Sequence, residues 1–198
     1  LREGLGLFDS VAGDRYRGGH TDQNGLLPTT MGTVKPTARY PASFEPGLLS
    51  RNADTLVVGI QGLPGIDGEF LAGTLAARVP YPVRGTNIEL GLGSSLDQPE
   101  LRLATALDRN EEWPGTEHIR ERLAARIDDH HAGESRVGLP AVLGREDTDA
   151  IRMQLQDRLG VDIFEIPTAL PRLPGIRLDT LLRDAVDREG IAWLRNVV

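Results

Sequence analysis

"LVVGIQGLPGIDGEF", residues 56–70, is a branched apolar run that breaks into glycines at 59, 62, 65 and 68 and then opens into a helix-forming stretch. A strand, a glycine-rich turn and a helix in that order form the first unit of an α/β domain with a parallel sheet. The same order can also hold a phosphate on backbone N–H groups at the helix N-terminus. Here the glycines recur every third residue instead of as GxGxxG, and no GK[ST] follows. The spacing therefore favours a turn that packs a strand closely against a helix over a nucleotide loop.

Outward from this stretch the pattern stays regular. "TLVVGI" reads as a buried strand, "GEFLAGTLAARV" as a helix and "VRGTNIELGL" as a strand, followed by helical stretches near 97–108 and 115–129. Then come "RVGLPAVLG" as a strand, "EDTDAIRMQLQDRLG" as a helix, "VDIFEIPT" as a strand, "IRLDTLLRDAVDREG" as a helix and "IAWLRNVV" as a strand. The alternation predicts an α/β fold, a mainly parallel sheet flanked by helices. In the last helix Leu178, Leu181, Leu182 and Ala185 form one apolar stripe, and Gly190 stands where a C-terminal glycine cap belongs.

The first 54 residues are rich in Gly, Pro and Thr, and proline at 28, 36, 41 and 46 argues against a long helix. Pieces such as "LGLFDSV" and "TVKPTARYP" read as short strands, so an extended Pro/Gly/Thr-rich N-terminal region is expected. The chain divides on this reading into residues 1–54, packing on a sheet edge or another part of the parent protein, an α/β domain over 55–174, and a helix and strand over 175–198.

The chain has 198 residues, 39% of them hydrophobic, enough for one sizeable core. It begins at Leu1 and ends at Val198 in a strand-like run, which reads as a segment of a longer polypeptide. No run approaches the ~18 consecutive apolar residues of a membrane span. Any membrane contact is expected to be peripheral or through a partner. Zero cysteines exclude disulfides, thiolate metal sites and a cysteine nucleophile. Twenty-nine acids against twenty-two basic residues give a net charge of −7, and Lys35 is the single lysine. Such acidity reads as a means of solvation and argues against non-specific nucleic-acid binding.

Several short motifs invite a site. "GLGSSL" at 91–96 has Leu96 where a third fingerprint glycine would stand, and reads as a loop into a helix. "DDHH" at 128–131 offers imidazoles and carboxylates, but adjacent histidines point apart on a helix, so no metal site is expected. HExxH, GxSxG and SxxK are absent. "EIPTALPRLPGIRLDTLL" at 165–182 runs a strand into Thr168, a proline-laden turn, Gly175 and Arg177 at a helix start. That arrangement suits an anionic group, or equally a rigid loop with Arg177 paired to a nearby acid. "PTTMGTVKPT" at 28–37 offers Thr29, Thr30, Thr33, Thr37 and Lys35 to a polar ligand, or to an irregular edge strand.

Three blocks carry a resemblance: "LPTTMGTVKPTARYP" at 27–41, "LVVGIQGL" at 56–63 and "IPTALPRLPGIRLDTLLRDAVDREGIAW" at 166–193. In order and approximate spacing they resemble the interior of the B subunit of anaerobic glycerol-3-phosphate dehydrogenase, from about Leu27 onward. The resemblance implies the middle, cap or substrate-side part of a flavoprotein subunit, with FMN or FAD in the full-length parent and none bound by this segment alone. It implies that the parent complex oxidises glycerol 3-phosphate to dihydroxyacetone phosphate and passes electrons toward quinone, and that this segment alone is inactive. The implied partners are the other dehydrogenase subunits and, through the complex, a small phosphate substrate. The implied location is the cytoplasmic side, peripheral to the inner membrane. Thr30, Gly32, Thr33, Thr168, Gly175 and Arg177 are then expected on one face, where the flavin domain docks. The alternatives are a stand-alone α/β phosphate- or nucleotide-binding module using the turn at 59–68, and a purely structural domain.

Overall fold

The computed structural model describes residues 2–19, 23–92, 97–113, 115–168 and 173–192. The chain opens with helix α1 (Arg2–Ala12), a 3-10 turn and strand β1 (Tyr16–Arg17), then β2 (Gly25–Pro28), β3 (Val34–Thr37) and β4 (Tyr40–Pro41). Two 3-10 turns, Ala42–Gly47 and Leu49–Arg51, lead into the main unit. There β5 (Thr55–Ile60), α2 (Gly68–Ala76) and β6 (Val83–Ile88) are followed by α3 (Pro99–Arg109), α4 (Ile119–Asp128), β7 (Arg136–Pro140), α5 (Thr148–Leu159), β8 (Asp162–Ile166) and α6 (Leu173–Arg188).

The four long strands form a parallel sheet in the order β6-β5-β7-β8. Thr55 stands between Val83 and Arg136, and Arg136 between Thr55 and Asp162. Because β5 has neighbours on both edges and helices over both faces, all six of its residues are buried. This is why its sequence is a continuous apolar run instead of an alternating one. Leu56, Val58 and Ile60 point into the larger core with Leu103, Leu107, Ile119, Leu123 and Ile151 from α3, α4 and α5. Val57 points the other way, into a core with Leu71, Ala72 and Leu75 of α2 and Phe164 of β8. The α2 crossover and the α3–α4 crossover thus cover opposite faces, as a doubly wound sheet requires.

The N-terminal region is not extended throughout. Residues of "LGLFDSV" lie in α1, where Leu5, Phe8 and Ala12 recur at helical spacing and Ala12 is buried. That stripe outweighs the low helix propensity of Gly4 and Gly6, which had made the stretch read as a strand. β1 pairs with β4 and β2 with β3, both antiparallel, apart from the main sheet. Two further differences concern the last helix. It begins at Leu173 and includes Pro174 and Gly175, because proline is tolerated in a first helical turn; the expected boundary at 174/175 falls inside it. Leu181 is buried, but Leu182 is 39% exposed and lies off the stripe. Gly190 adopts φ +70 and caps the helix as its position predicted. The strand expected over 191–198 lies largely outside the described residues, and Ile191 and Ala192 are in no strand.

At the N-terminal end of the sheet a guanidinium is enclosed. Arg136 is 2% exposed; its Nε donates to Thr55 Oγ1 at 2.7 Å and its Nη2 to Tyr81 Oη at 3.0 Å. Its Nη1 donates to the carbonyls of Pro46 at 2.7 Å and Leu48 at 2.9 Å. The rings of Tyr81 and Phe164 flank it at 5.2 and 5.5 Å. Burial lowers its pKa from the ordinary value, yet arginine stays charged at neutral pH. The cation is solvated by oxygens and ring faces in place of water, and those oxygens belong to three separate segments. Arg136→Ala removes four hydrogen bonds and leaves a void where one of the largest fully buried side chains stood, so it is expected to destabilise the fold by about 3 kcal/mol or more in urea unfolding. A loss below about 0.5 kcal/mol would show that these bonds contribute nothing net.

Candidate functional site

The turn after β5 is where a nucleotide phosphate would sit, and the donors at the start of the helix that follows are already used. In α2 the Gly68 N–H donates to Asn87 Oδ1 at 2.9 Å and the Phe70 N–H to Asp67 Oδ1 at 2.9 Å. The Leu71 N–H donates to the Asp67 carbonyl at 3.0 Å. The Phe70 amide and then Asn87 hold the Asp67 carboxyl below its usual pKa, as befits a carboxylate on a helix N-terminus. The glycines serve packing: a Cβ on Gly68 would lie 2.2 Å from the Thr86 carbonyl oxygen, and one on Gly85 2.1 Å from that of Gly68. The other place for a ligand in such a sheet is the crevice between β5 and β7, where strand order reverses. Past β7 the chain continues into Ala141, Val142 and Leu143, each with no exposed surface.

The other sequence motifs are equally committed or undescribed. Residues 93–96 of "GLGSSL" lie outside the described residues. In "DDHH", His130 Nδ1 bonds the Arg126 carbonyl at 2.9 Å and His131 Nε2 that of Glu134 at 2.8 Å. Among the described residues no group of three or more His, Cys, Asp or Glu could hold a metal ion. Nor is any described helix long and apolar enough to cross a membrane.

A cleft of about 510 Å³ opens instead between the starts of α5 and α6 and the N-terminal region. Tyr16, Ser43, Arg145, Asp149, Arg177 and Thr180 are among its lining residues. Behind it lies Glu165, whose side chain has no exposed surface. Arg177 clamps this carboxylate in a fork, Nη1 to Oε2 at 2.6 Å and Nη2 to Oε1 at 3.0 Å. Ser43 Oγ donates to Oε2 at 2.7 Å and the Leu143 N–H to Oε1 at 2.8 Å. Arg177 also donates to the Gly144 carbonyl from Nε at 2.8 Å and Nη2 at 2.5 Å. The anion that Arg177 meets is thus the chain's own, and its Nε, Nη1 and Nη2 are all engaged in these bonds.

The loop before α5 is held from the other side. Asp108 accepts from the Arg145 N–H at 2.8 Å and, more weakly, from those of Glu146 and Asp147 at 3.4 and 3.3 Å. Tyr16, half-buried in the cleft, has its hydroxyl pKa pushed up by burial and pulled back by Arg177 nearby. The walls carry both signs of charge, with Arg15 and Arg145 facing Glu146, Asp147, Asp149 and Asp184. Such a cleft suits a small polar molecule with hydroxyls as well as charge.

The structure divides the six residues expected on one face. Thr30, Gly32 and Thr33 form the loop between β2 and β3, where Thr33 Oγ1 bonds Thr29 Oγ1 at 2.7 Å. Gly32, at φ +66, presses on α2, where an added Cβ would come 2.5 Å from Thr74 Cβ. α2 covers β5 and β6, whereas Arg177 grips β8 at the opposite edge of the sheet. Gly175 lies in α6 two residues before Arg177, and the buried Thr168 hydroxyl has no partner among the described residues. Of the six, Arg177 alone lines the cleft. Sequence reasoning missed Glu165 and Ser43. The signal for Glu165 was an acid inside the buried run "IFEI"; Ser43 carried none, since its partner is 122 residues away.

A second buried acid was also missed. Glu100, in the first turn of α3, is 1% exposed, and neither carboxylate oxygen has a hydrogen-bond partner among the described residues. Burial raises its pKa above the ordinary 4.5.

The FAD binding domain family matches residues 3–198. In two strains of Halobacterium salinarum, the probable B subunit of an anaerobic glycerol-3-phosphate dehydrogenase is 43% identical over 195 residues, 96% of this chain and 45% of the relative. The B subunit of the anaerobic glycerol-3-phosphate dehydrogenase of Glaesserella parasuis serovar 5 is 29% identical over 171 residues, 83% of this chain and 36% of that protein. The chain thus spans less than half the length of the curated relatives it matches. No solved structure matches it. A flavin dinucleotide needs donors for its pyrophosphate, and the α2 amides do not fit it, being bonded already to Asp67 and Asn87.

Two stability effects follow from the buried acids. Arg177→Met leaves Glu165 buried without its cation and is expected to cost about 3–5 kcal/mol in denaturant unfolding, with part recovered when Glu165→Gln is added. A double variant no more stable than the single would contradict the clamp. For Glu100, whose folded pKa is raised, the folded chain holds more protons than the unfolded one at pH values above 4.5, so stability falls as pH rises through that window. Glu100→Gln should therefore raise the Tm at neutral pH and give little gain below about pH 4. An equal gain at both pH values would rule out ionisation as the cause.

Proposed function

The chain belongs to the FAD binding domain family, and from that premise we propose that it is the middle, cap or substrate-side portion of the flavin-dependent B subunit of an anaerobic glycerol-3-phosphate dehydrogenase. The observation that carries this reading is the 43% identity to the Halobacterium salinarum protein sustained along 96% of the chain. The reaction of the assembled enzyme is then glycerol 3-phosphate plus quinone giving dihydroxyacetone phosphate plus quinol. The flavin, FAD or FMN, is held by sequence outside this segment, in keeping with the occupied α2 terminus. The segment alone is inactive.

In this reading the cleft beside α5 and α6 is the part of the segment that faces a small polar ligand, with Tyr16, Ser43, Arg145 and Thr180 on its walls. Arg177 shapes the cleft through Glu165 and the Gly144 carbonyl. Thr168 and Gly175 flank that clamp, while Thr30, Gly32 and Thr33 stand on the α2 side, toward the flavin-binding part. The other members of the complex supply any contact with the inner membrane from its cytoplasmic side.

The test is to purify the uninterrupted reading frame that contains these residues and record its visible spectrum under anaerobic conditions. One bound flavin per chain is expected, together with glycerol 3-phosphate-dependent dye reduction once partner subunits are added. A flavin-free protein that leaves such activity unchanged when omitted from the complex would overturn the reading.

A further inference from the structure

The chain is acidic almost throughout, and the two longest stretches without an Asp or Glu are residues 23–44 and 70–88. The first contains the β2–β3 hairpin; the second contains most of α2 and all of β6. They meet in space, because the Gly32 backbone lies against Leu71 and Thr74 of α2. Beside that contact the surface is apolar. Met31, next to Gly32, is 57% exposed, and Phe70, one helical turn before Thr74, is 53% exposed. Leu26, which is 45% exposed, and its cross-strand partner Pro36, also exposed, continue the patch along the hairpin. Lys35 adjoins Pro36 and the exposed Glu69 adjoins Phe70, so one charge of each sign borders the patch.

Within these two stretches no carboxylate solvates the surface, and the acids begin only at the rim, with Glu69 beside Phe70. A two-stranded hairpin is marginal by itself, and one that shows apolar side chains outward is an element awaiting a cover. We infer that the Leu26–Met31–Phe70 face is an intramolecular docking surface, and that its occupant is the remainder of a longer polypeptide, which these 198 residues do not contain. This inference rests on the proposed function, because its occupant is the half of the relatives' length that lies outside the matched part. The patch is apolar at its centre and is bordered by Lys35 on the hairpin and Glu69 on α2, so the covering surface is apolar at its centre with charges of both signs at its rim.

The absence of cysteine makes the test direct. Met31→Cys, Phe70→Cys and, as a control, Met153→Cys on exposed α5 are each prepared in the 198-residue chain and in the full reading frame. Maleimide labelling is followed peptide by peptide by mass spectrometry. All three thiols should react freely in the 198-residue chain. In the full protein those at 31 and 70 should slow by about tenfold or more, as side chains in a desolvated interface core do, while the thiol at 153 is unchanged. Equal rates at 31 and 70 in both proteins overturn the inference. So does protection that is already present in the 198-residue chain and grows with its concentration, which would make a second copy the occupant. A reading frame that adds nothing to these residues overturns both this inference and the proposed function. Flavin content separates the two otherwise: flavin with exposed thiols refutes only the docking surface, and protected thiols without flavin refute only the flavoprotein reading.

Discussion

The burial of one carboxylate governs how this molecule is assembled. Glu165 sits inside an apolar strand with no exposed surface, and an ion there is tolerated only if its charge and lone pairs are met. What meets them comes from three places: Arg177 of α6, Ser43 of the N-terminal region and the Leu143 amide after β7. Satisfying Glu165 therefore fixes the start of α6, the loop before α5 and the first of the two 3-10 turns before β5 together, and these bound the cleft. The opposite end of the same N-terminal segment is tied by Arg136 through the carbonyls of Pro46 and Leu48. Between the two, Gly47 lies so close to Phe164 that a Cβ would fall 2.3 Å from its ring. The segment is thus strapped to the sheet at both ends by polar groups that only a folded sheet can place.

Much of the fold was legible because its elements obey local rules. The run 55–60 is apolar without alternation because both faces of β5 are covered, and each later strand is separated from the next by helical sequence. The close packing of the glycine turn ending at Gly68 and the cap at Gly190 announced their roles in the same way, whereas Gly85 gave no such signal. The opening helix was illegible because Gly4 and Gly6 mask a stripe formed by Leu5, Phe8 and Ala12. Of the candidate site, Arg177 could be named from its turn, with its choice of partner left open. Ser43 and the Gly144 carbonyl could not be found, since contacts across 122 and 33 residues leave no local pattern. Glu100 was open to notice only as an acid beside a helix start, a common and uninformative feature.

Family and geometry point in different directions at one place, and the difference is informative. The chain belongs to a family described by FAD, yet the unit that most resembles a dinucleotide site has the amides at its helix start bonded to Asp67 and Asn87. A doubly wound sheet can lose its nucleotide and keep its topology, because topology is set by strand burial and crossover handedness. The two are reconciled when the flavin is held by sequence beyond this unit, leaving the unit a cleft on one side and an apolar face on the other.

The most direct measurement is a calorimetric titration of the 198-residue chain with FAD, FMN and ADP at neutral pH. No binding tighter than about millimolar is expected, because the α2 donors that a pyrophosphate would use already have partners. Micromolar binding of any of the three would contradict this, and would return the glycine-rich turn of residues 59–68 to the centre of the protein's function.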